Sequence, residues 1–233
     1  MTTIERNLQD VRARIATACH ASGRSVQDVA LLAVSKTFGA DAVRAAHAAG
    51  QRAFGENYVQ EGVDKIALLR GLGLQWHCIG PIQSNKTRPV AEHFDWAHTV
   101  DRLKIAERLS SQRPAGLAPL QVCIQVNIDG GANKSGVAPG QALALARAVA
   151  ALPSLRLRGL MAIPESAPDF EAARAVHMRA KDLFDQLNAA GLGLDTLSLG
   201  MSADLEAAIA AGSTLVRVGS AIFGARASRP VAG

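Results

Sequence analysis

Cysteines and aromatic residues are scarce in this chain, and each shortage excludes a class of protein. The three cysteines, Cys19, Cys78 and Cys123, are odd in number, far apart and without any Cys-x-x-Cys spacing. That pattern argues against both a disulfide framework and a zinc site, and it is typical of a reducing compartment, so we expect a cytoplasmic protein. Only 4% of the residues are aromatic, which leaves little material for stacking on bases. We therefore expect no nucleic-acid partner.

Long apolar runs and blocks of like charge are also absent. No uninterrupted apolar stretch approaches the roughly 20 residues that span a bilayer, so no membrane partner is expected. The polar start of the chain, residues 1–9, shows no secretory signal. The net charge of +5 is dispersed among acidic residues, which favours solubility and, weakly, anionic small molecules.

Apolar periodicity predicts a single domain over residues 1–233. Ile4, Leu8, Val11, Ile15 and Cys19 recur at helical spacing, which predicts a helix over residues 1–22. Eight strand-like apolar runs follow it, separated by segments with helical periodicity. These runs lie at 30–36, 53–58, 74–80, 96–100, 120–128, 156–163, 195–200 and 214–224.

Alternating strands and helices over this length predict an α/β protein, a (β/α)₈ TIM barrel across residues 30–224 with an extra N-terminal helix. A doubly wound open sheet is the main alternative. It ranks second because the first strand-to-helix turn, residues 36–39, lacks the glycine-rich dinucleotide fingerprint. The polar segment 130–136 after the fifth strand is expected to be a mobile loop at the barrel mouth, and whether it gates ligand release is open.

Strand ends converge on one face of such a barrel, so residues far apart in sequence become neighbours there. The candidates at predicted strand ends are Lys36, Asn57, His77, Asn127, Met161, Ser198 and Arg217. Each also has a purely structural interpretation. Lys36 could extend along the surface to solvent, Asn57 could satisfy a turn, and His77 could be a hydrogen-bonded core histidine.

A phosphate site is the part of the ligand that the sequence supports most directly. Ser202 follows the seventh strand and is predicted to cap the next helix, and Gly219-Ser220 after the eighth strand supplies a second wall. The alternative for Ser202 is an ordinary helix cap.

Arg217 lies within an apolar run, so it either faces the interior with a partner or faces outward to a helix carboxylate. Spacing alone leaves both orientations open.

Several short motifs, in order and covering nearly the whole chain, carry a family resemblance. They are Val34-Ser35-Lys36, Gly55-Glu56-Asn57-Tyr58 with Gln60-Glu61, Trp76-His77-Cys78-Ile79-Gly80 with Gln83-Ser84-Asn85-Lys86, Gly159-Leu160-Met161, Gly200-Met201-Ser202 with Asp204, and Arg217-Val218-Gly219-Ser220 with Ile222-Phe223-Gly224. Together they resemble the pyridoxal phosphate homeostasis protein family, the YggS-type single-domain proteins.

The resemblance implies a fold similar to the N-terminal barrel of alanine racemase, with pyridoxal 5′-phosphate (PLP) held as a Schiff base on Lys36. It implies that Arg217 faces the pyridine nitrogen and that Asn57 and His77 lie near the ring. It also implies a set of residues around the phosphate, namely Met201, Ser202, Gly219 and Ser220. The implied role is control of free PLP and vitamin B6 balance, with no established catalytic reaction.

An enzyme of the racemase kind is the rival from another class. Alanine racemase-like enzymes carry a second, β-rich domain, and eight strands leave no room for one in 233 residues. A nucleic-acid or protein scaffold would leave Lys36, Ser202 and Arg217 unexplained. We therefore expect a non-catalytic PLP carrier, a monomer whose partners are PLP itself and apo-enzymes that accept it.

Overall fold

The computed structural model describes residues 2–131 and 135–224. Eight parallel strands form a closed barrel in sequence order, which confirms the predicted fold and rules out the open sheet. The strands are β1 (Ala30–Val34), β2 (Ala53–Glu56), β3 (Gln75–Cys78), β4 (Trp96–Val100), β5 (Leu120–Gln125), β6 (Leu155–Met161), β7 (Thr196–Ser198) and β8 (Leu215–Val218).

Helices follow the strands around the outside of the barrel. They are α1 (Thr3–Ala21), α2 (Ala40–Ala48), α3 (Val59–Leu68), α4 (Thr87–His93), α5 (Leu103–Gln112), α6 (Pro139–Ala150), α7 (Phe170–Ala189), α8 (Leu205–Ala210) and α9 (Ser220–Phe223). Within the described residues no helix combines the length and apolar character needed to cross a membrane.

The N-terminal helix α1 is present as predicted and packs on the outside of the barrel. Thr2 and Glu5 form a reciprocal capping box at its start. Leu8, Val11 and Ile15 lie on its buried face and join the main core. Helix α1 contacts α2, α8 and α9, so it covers the seam where the barrel closes between β1 and β8.

The closure between β1 and β8 determines which strand ends meet. Ala30 pairs with Leu215 and Leu32 pairs with Arg217 in a continuous parallel register. Gly219, just past β8, then lies beside the end of β1: a Cβ at this position would be 3.1 Å from the carbonyl oxygen of Val34. Glycine therefore permits the close approach that brings the two ends together.

Two predicted element boundaries differ from the structure. The eighth run, 214–224, is not one strand, because β8 ends at Val218 and α9 begins at Ser220. The first run ends at Val34 instead of residue 36, where the chain turns. In both places the apolar pattern continues into segments that line a cavity, so periodicity does not mark where strand pairing stops. The expected mobile loop includes 132–134, which lie outside the described residues, and its role stays a prediction.

The barrel interior contains a polar chain between two apolar clusters. One cluster contains Leu32, Val34, Ile79 and Leu215, and the other contains Trp96, Cys123 and Met161. The buried polar residues between them are His77, His98, Ser198 and Arg217. The three cysteines are free and buried.

Candidate functional site

A cavity of about 280 Å³ opens at the carboxyl ends of the strands and in the loops that follow them. Seven of the eight residues predicted for the site line it: Lys36, Asn57, Met201, Ser202, Arg217, Gly219 and Ser220. The carboxyl face of a TIM barrel is where its active sites lie. The structure therefore brings together residues from the first, second, seventh and eighth strand ends.

A larger groove, about 690 Å³, lies on the outside of the barrel against α1, α7 and α8. Its lining contains none of the strand-end residues. Arg14 at this groove already forms an ion pair with Glu206, at 2.8 Å. Volume alone does not make a site, and the smaller cavity has the convergent polar groups that a ligand needs.

Lys36 lies in the turn that immediately follows β1. The next residue, Thr37, has φ of +69°, the only positive value among the described residues other than glycine. The left-handed region is unfavourable for a β-branched residue. The turn therefore needs support from neighbouring groups, and the Thr37 amide receives it by donating to Glu61 Oε1 at 2.6 Å.

Two short segments form the opposite wall of the cavity. Residues 201–204 precede α8, and Gly219 precedes α9. The hydroxyl oxygens of Ser202 and Ser220 are 3.5 Å apart. The two segments thus present a pair of hydroxyl groups at one point of the cavity wall.

The prediction that Ser202 caps the following helix is wrong. The N-cap of α8 is Asp204, and its Oδ1 accepts from the Met201 amide at 2.7 Å. Its Oδ2 pairs with His177 Nε2 at 2.8 Å. Residues 201–204 form a turn before the helix starts, which places Ser202 on the cavity wall and leaves its hydroxyl outside the helix cap.

Arg217 faces the barrel interior, which settles the orientation that the sequence left open. Its Nη1 donates to the carbonyl oxygen and the hydroxyl of Ser198, both at 2.7 Å. Its Nη2 donates to the Ala162 carbonyl at 3.0 Å. Burial lowers the pKa of Arg217 to about 10, although Asp204 opposes this effect. A guanidinium has five N–H groups, so donors remain for a ligand in the cavity.

Behind Arg217 a hydrogen-bond chain crosses the barrel interior. Ser198 Oγ lies 3.1 Å from His98 Nδ1, and His98 Nε2 lies 2.8 Å from His77 Nδ1. His77 Nε2 lies 3.0 Å from Gln75 Oε1. Because an amide oxygen can only accept, Gln75 Oε1 sets the direction of this chain once both histidines are neutral. Ser198 donates to His98, His98 to His77, and His77 to Gln75.

Both histidines in the chain are uncharged at neutral pH. Burial lowers the pKa of His77 to about 3. Burial places the pKa of His98 well below its usual value, and the neighbouring His77 and Arg217 act in the same direction. Arg217 is therefore supported by neutral oxygens and a neutral chain, with no carboxylate among its hydrogen-bond partners.

His77 is the predicted site residue that the structure places elsewhere. It does not line the cavity, and its ring stacks on Trp96 with centroids 5.1 Å apart inside the barrel. Inward-facing residues lie in successive layers along a strand, and His77 occupies a deeper layer than Ile79, which does line the cavity. The interpretation of His77 as a core histidine therefore describes its position correctly.

The other strand-end candidates also lie outside the cavity lining. Met161 and Ser198 are buried in the barrel interior, where Ser198 supports Arg217. Asn127 holds the loop after β5, accepting from the Gly130 amide at 3.1 Å and donating to the Gly131 carbonyl at 2.9 Å.

Sequence reasoning missed the apolar lining of the cavity. Val34, Phe38, Ile79 and Ile163 contribute to it, and Phe38 stacks on Phe223 with ring centroids 5.2 Å apart. These residues carry no chemical group that marks a site. The one available signal was their position, since each lies within two residues of a predicted strand end.

Asn57 completes the site from the end of β2. Its Oδ1 is buried and has no hydrogen-bond partner among residues 2–131 and 135–224. A Cβ at Gly80 would lie 2.1 Å from the Asn57 carbonyl oxygen, so only glycine lets the third strand end approach this backbone. A buried polar atom that lacks a described partner beside a cavity is a candidate contact for a ligand.

A parallel eight-stranded barrel with a lysine at the first strand end and an arginine in the last strand defines a class of protein, and residues 4–227 match the family model described as alanine racemase, N-terminal domain. Among solved structures, PipY of Synechococcus elongatus PCC7942, described with PLP bound, is 36% identical with a TM-score of 0.83. The match covers 95% of this chain and all of PipY. Alanine racemase of Clostridium difficile has a TM-score of 0.75 at 15% identity, and the match covers 99% of this chain but 58% of the racemase. That likeness shows the shared fold alone.

Curated relatives give a closer assignment. The pyridoxal phosphate homeostasis protein of Pseudomonas aeruginosa is 62% identical over 226 residues, which is 97% of each chain. The protein of the same name from Escherichia coli K12 is 57% identical, covering 97% of this chain and 98% of the relative. The chain belongs to the pyridoxal phosphate homeostasis protein family.

Proposed function

We propose that this chain binds PLP as a Schiff base on Lys36 and acts in PLP homeostasis as a single-domain, non-catalytic carrier. The observation that carries the proposal is the convergence of Lys36, Arg217 and the Ser202–Ser220 hydroxyl pair in one cavity. The family assignment and the PLP described in PipY support the choice of ligand.

The cavity residues fit the chemistry of PLP. The aldehyde needs an amine, which Lys36 supplies, and the ring nitrogen needs a donor, which the remaining N–H groups of Arg217 supply. The phosphate needs several donors, and Ser202, Gly219 and Ser220 offer hydroxyl and backbone N–H groups. The orphaned amide of Asn57 is placed for a polar substituent of the ring.

Each protein group then has a defined task. When bound, PLP supplies an aldehyde that joins an amine with loss of water, and a ring able to withdraw electrons. Lys36 retains the aldehyde carbon, and the serine pair orients the phosphate. The apolar wall of Phe38, Ile79 and Ile163 covers ring surface and excludes water. Arg217 donates to the ring nitrogen without giving up a proton, so the nitrogen stays an unprotonated acceptor.

The cavity lining also supports a non-catalytic role. Racemisation needs a second base on the face of the substrate opposite the lysine, and Lys36 and Arg217 are the titratable residues among the described lining residues. His77, the strand-end residue that could have served as that base, lies deeper in the barrel. A carrier that binds PLP here and releases it to apo-enzymes in the cytoplasm, as a monomer, is consistent with this chemistry.

Absorbance spectroscopy tests the proposal. The wild-type protein with added PLP should be yellow, and borohydride should bleach the visible band and fix the cofactor covalently. Lys36→Ala should lose the reducible adduct. Lys104→Ala, which removes an exposed lysine on α5, should behave as wild type. A full yield of adduct in Lys36→Ala would refute the Schiff-base assignment.

A further inference from the structure

We propose that Lys65, with Glu56, Glu61 and Ser35, is a positioning cluster that holds the backbone on both sides of Lys36 and thereby determines how fast Lys36 captures an aldehyde. The inference rests on the proposed Schiff base at Lys36. We call these four residues the Lys65 cluster.

Lys65 lies on α3, next to the turn after β1, and is almost fully buried. Its ammonium group donates three hydrogen bonds, to the Ser35 carbonyl at 2.7 Å, Glu56 Oε1 at 2.8 Å and Glu61 Oε1 at 2.6 Å. Lysine has three N–H groups, so its donor capacity is fully used. One of these bonds holds the peptide that directly precedes Lys36.

The two carboxylates of the cluster also contact both neighbours of Lys36. Glu61 Oε1 accepts from the Thr37 amide at 2.6 Å, and Glu56 Oε1 accepts from the Ser35 hydroxyl at 2.6 Å. Both residues that flank Lys36 are therefore bonded to one buried group of charges. The backbone also closes this turn, since the Phe38 amide donates to the Ser35 carbonyl at 3.0 Å. The bond to Glu61 adds side-chain support at Thr37, whose φ of +69° is unfavourable.

A buried cluster of this kind is an expensive way to stabilise a turn. Burial raises the pKa of Glu56, although Lys65 and Ser35 act against that rise. Its Oε2 is also buried and has no hydrogen-bond partner in the described part of the chain. Well-packed apolar residues often stabilise a protein as well as a buried ion pair does. Such a cost is expected where the geometry of the supported residue matters for function.

The consequence for Lys36 is that its Cα position and the direction of its side chain are fixed by the turn. Thr37 in the left-handed region reverses the chain just after the strand, so Lys36 stays at the cavity and does not continue along β1. If the turn relaxed to an ordinary conformation, the direction of the Lys36 side chain would change. The amine would then reach the aldehyde position in only a fraction of molecules.

Glu61→Ala and a rescue variant test this role. Glu61 is partly exposed, with 30% of its side chain accessible, so its loss leaves the buried Glu56–Lys65 pair intact. We expect the rate of borohydride-trapped adduct formation to fall about tenfold. In Glu61→Ala/Thr37→Gly, glycine adopts positive φ without strain, and most of the rate should return. Asp64→Ala removes an exposed carboxylate from the same helix and should match wild type.

A second readout requires no cofactor. In the apo protein, hydrogen exchange of the Thr37 amide should accelerate about tenfold in Glu61→Ala and remain unchanged in Asp64→Ala. An adduct rate and an amide exchange rate in Glu61→Ala that equal those of wild type would overturn the proposal. So would a slow single variant that Thr37→Gly fails to rescue.

The controls separate this proposal from the proposed function. If wild type forms no adduct on Lys36, the proposed function fails, whereas Thr37 exchange still decides whether the cluster holds the turn. If Glu61→Ala does not fold, Glu61→Gln replaces it, since the amide keeps an acceptor oxygen but loses the charge facing Lys65. A two- to threefold effect on both readouts is then expected, and no effect on either contradicts the proposal.

Discussion

Arg217 is a buried cation whose hydrogen-bond acceptors are all neutral oxygens. A carboxylic acid beside the ring nitrogen of PLP would share a proton with that nitrogen and would thereby make the ring withdraw electrons more strongly. Arginine keeps its protons at physiological pH even with a pKa of about 10. In the proposed function, this residue favours binding of PLP over chemistry at an amino acid.

The consequence is that the PLP-loaded protein should not activate amino acids. Incubated with L-alanine in deuterated water, it should exchange the α-proton no faster than free PLP does, as followed by NMR. The control is the Lys36→Ala protein at the same total PLP. Rapid exchange that disappears in Lys36→Ala would make the chain an enzyme and would contradict the carrier function.

The buried histidines behind Arg217 make stability depend on pH. The pKa of His77 is about 3 in the folded protein against 6.5 for an exposed histidine, so the unfolded chain binds more protons between these values. The free energy of unfolding should therefore fall as pH decreases through that window, by up to about 1.4 kcal/mol per pH unit for this residue. Urea unfolding at pH 7, 6 and 5 measures it.

His77→Gln isolates the contribution of this residue, because glutamine keeps a donor and an acceptor but does not titrate. Burial raises the pKa of Glu56 and Asp95, which gives a pH dependence of opposite sign. Both carboxyl groups are present in wild type and in His77→Gln, so their effects cancel when the free energies of unfolding of the two proteins are subtracted. Below pH 6 the free energy of unfolding should fall more steeply with decreasing pH in wild type than in His77→Gln. Equal slopes for the two proteins would show that His77 is not buried in its neutral form.

At the scale of elements, the proposed phosphate interaction rests on the loops before α8 and α9. Both helices are short, with six and four residues, so their dipoles contribute less than the hydroxyl and backbone N–H groups of the loops. Asp204 holds the first loop through the Met201 amide and is itself held by His177. This support fixes Ser202 opposite Ser220.

This arrangement predicts that the phosphate supplies most of the non-covalent affinity. Pyridoxal, which lacks the phosphate, should bind about a hundredfold more weakly than PLP in a spectroscopic titration. Ser202→Ala and Ser220→Ala should each weaken PLP binding about tenfold and leave pyridoxal binding unchanged. Ser111→Ala, on the exposed face of α5, is the control. Equal affinities for the two compounds would refute this placement of the phosphate.

The elements also show where sequence reasoning succeeds. Strand order, the N-terminal helix and the convergence of Lys36 with Arg217 were predictable, because burial imposes apolar runs and a parallel barrel brings strand ends together. The depth of His77 in the barrel was not predictable. His77 and Ile79 are two residues apart and both face the interior, so their sequence pattern is the same, but only Ile79 reaches the layer that lines the cavity. The Lys65 cluster was missed because a lysine in a helical segment is normally predicted to be exposed, whereas Lys65 is buried.

At the scale of the whole molecule, barrel closure makes the site from distant parts of the chain. The register between β1 and β8 places Gly219 beside Val34, two residues before Lys36, although these positions are far apart in sequence. The interior chain from Gln75 to Arg217 links the start of β3 to the cavity at the barrel mouth. The alanine racemase of C. difficile shares the barrel over 58% of its length, which shows a common fold.

The central claim is that PLP attaches to Lys36, and mapping the reduced adduct tests it most directly. The loaded protein is treated with borohydride, digested with trypsin and analysed by mass spectrometry. Trypsin does not cleave after a modified lysine, so the label should appear on one peptide, residues 25–44, with Lys36 modified. Stoichiometric label on another lysine, with Lys36 unmodified, would contradict the account.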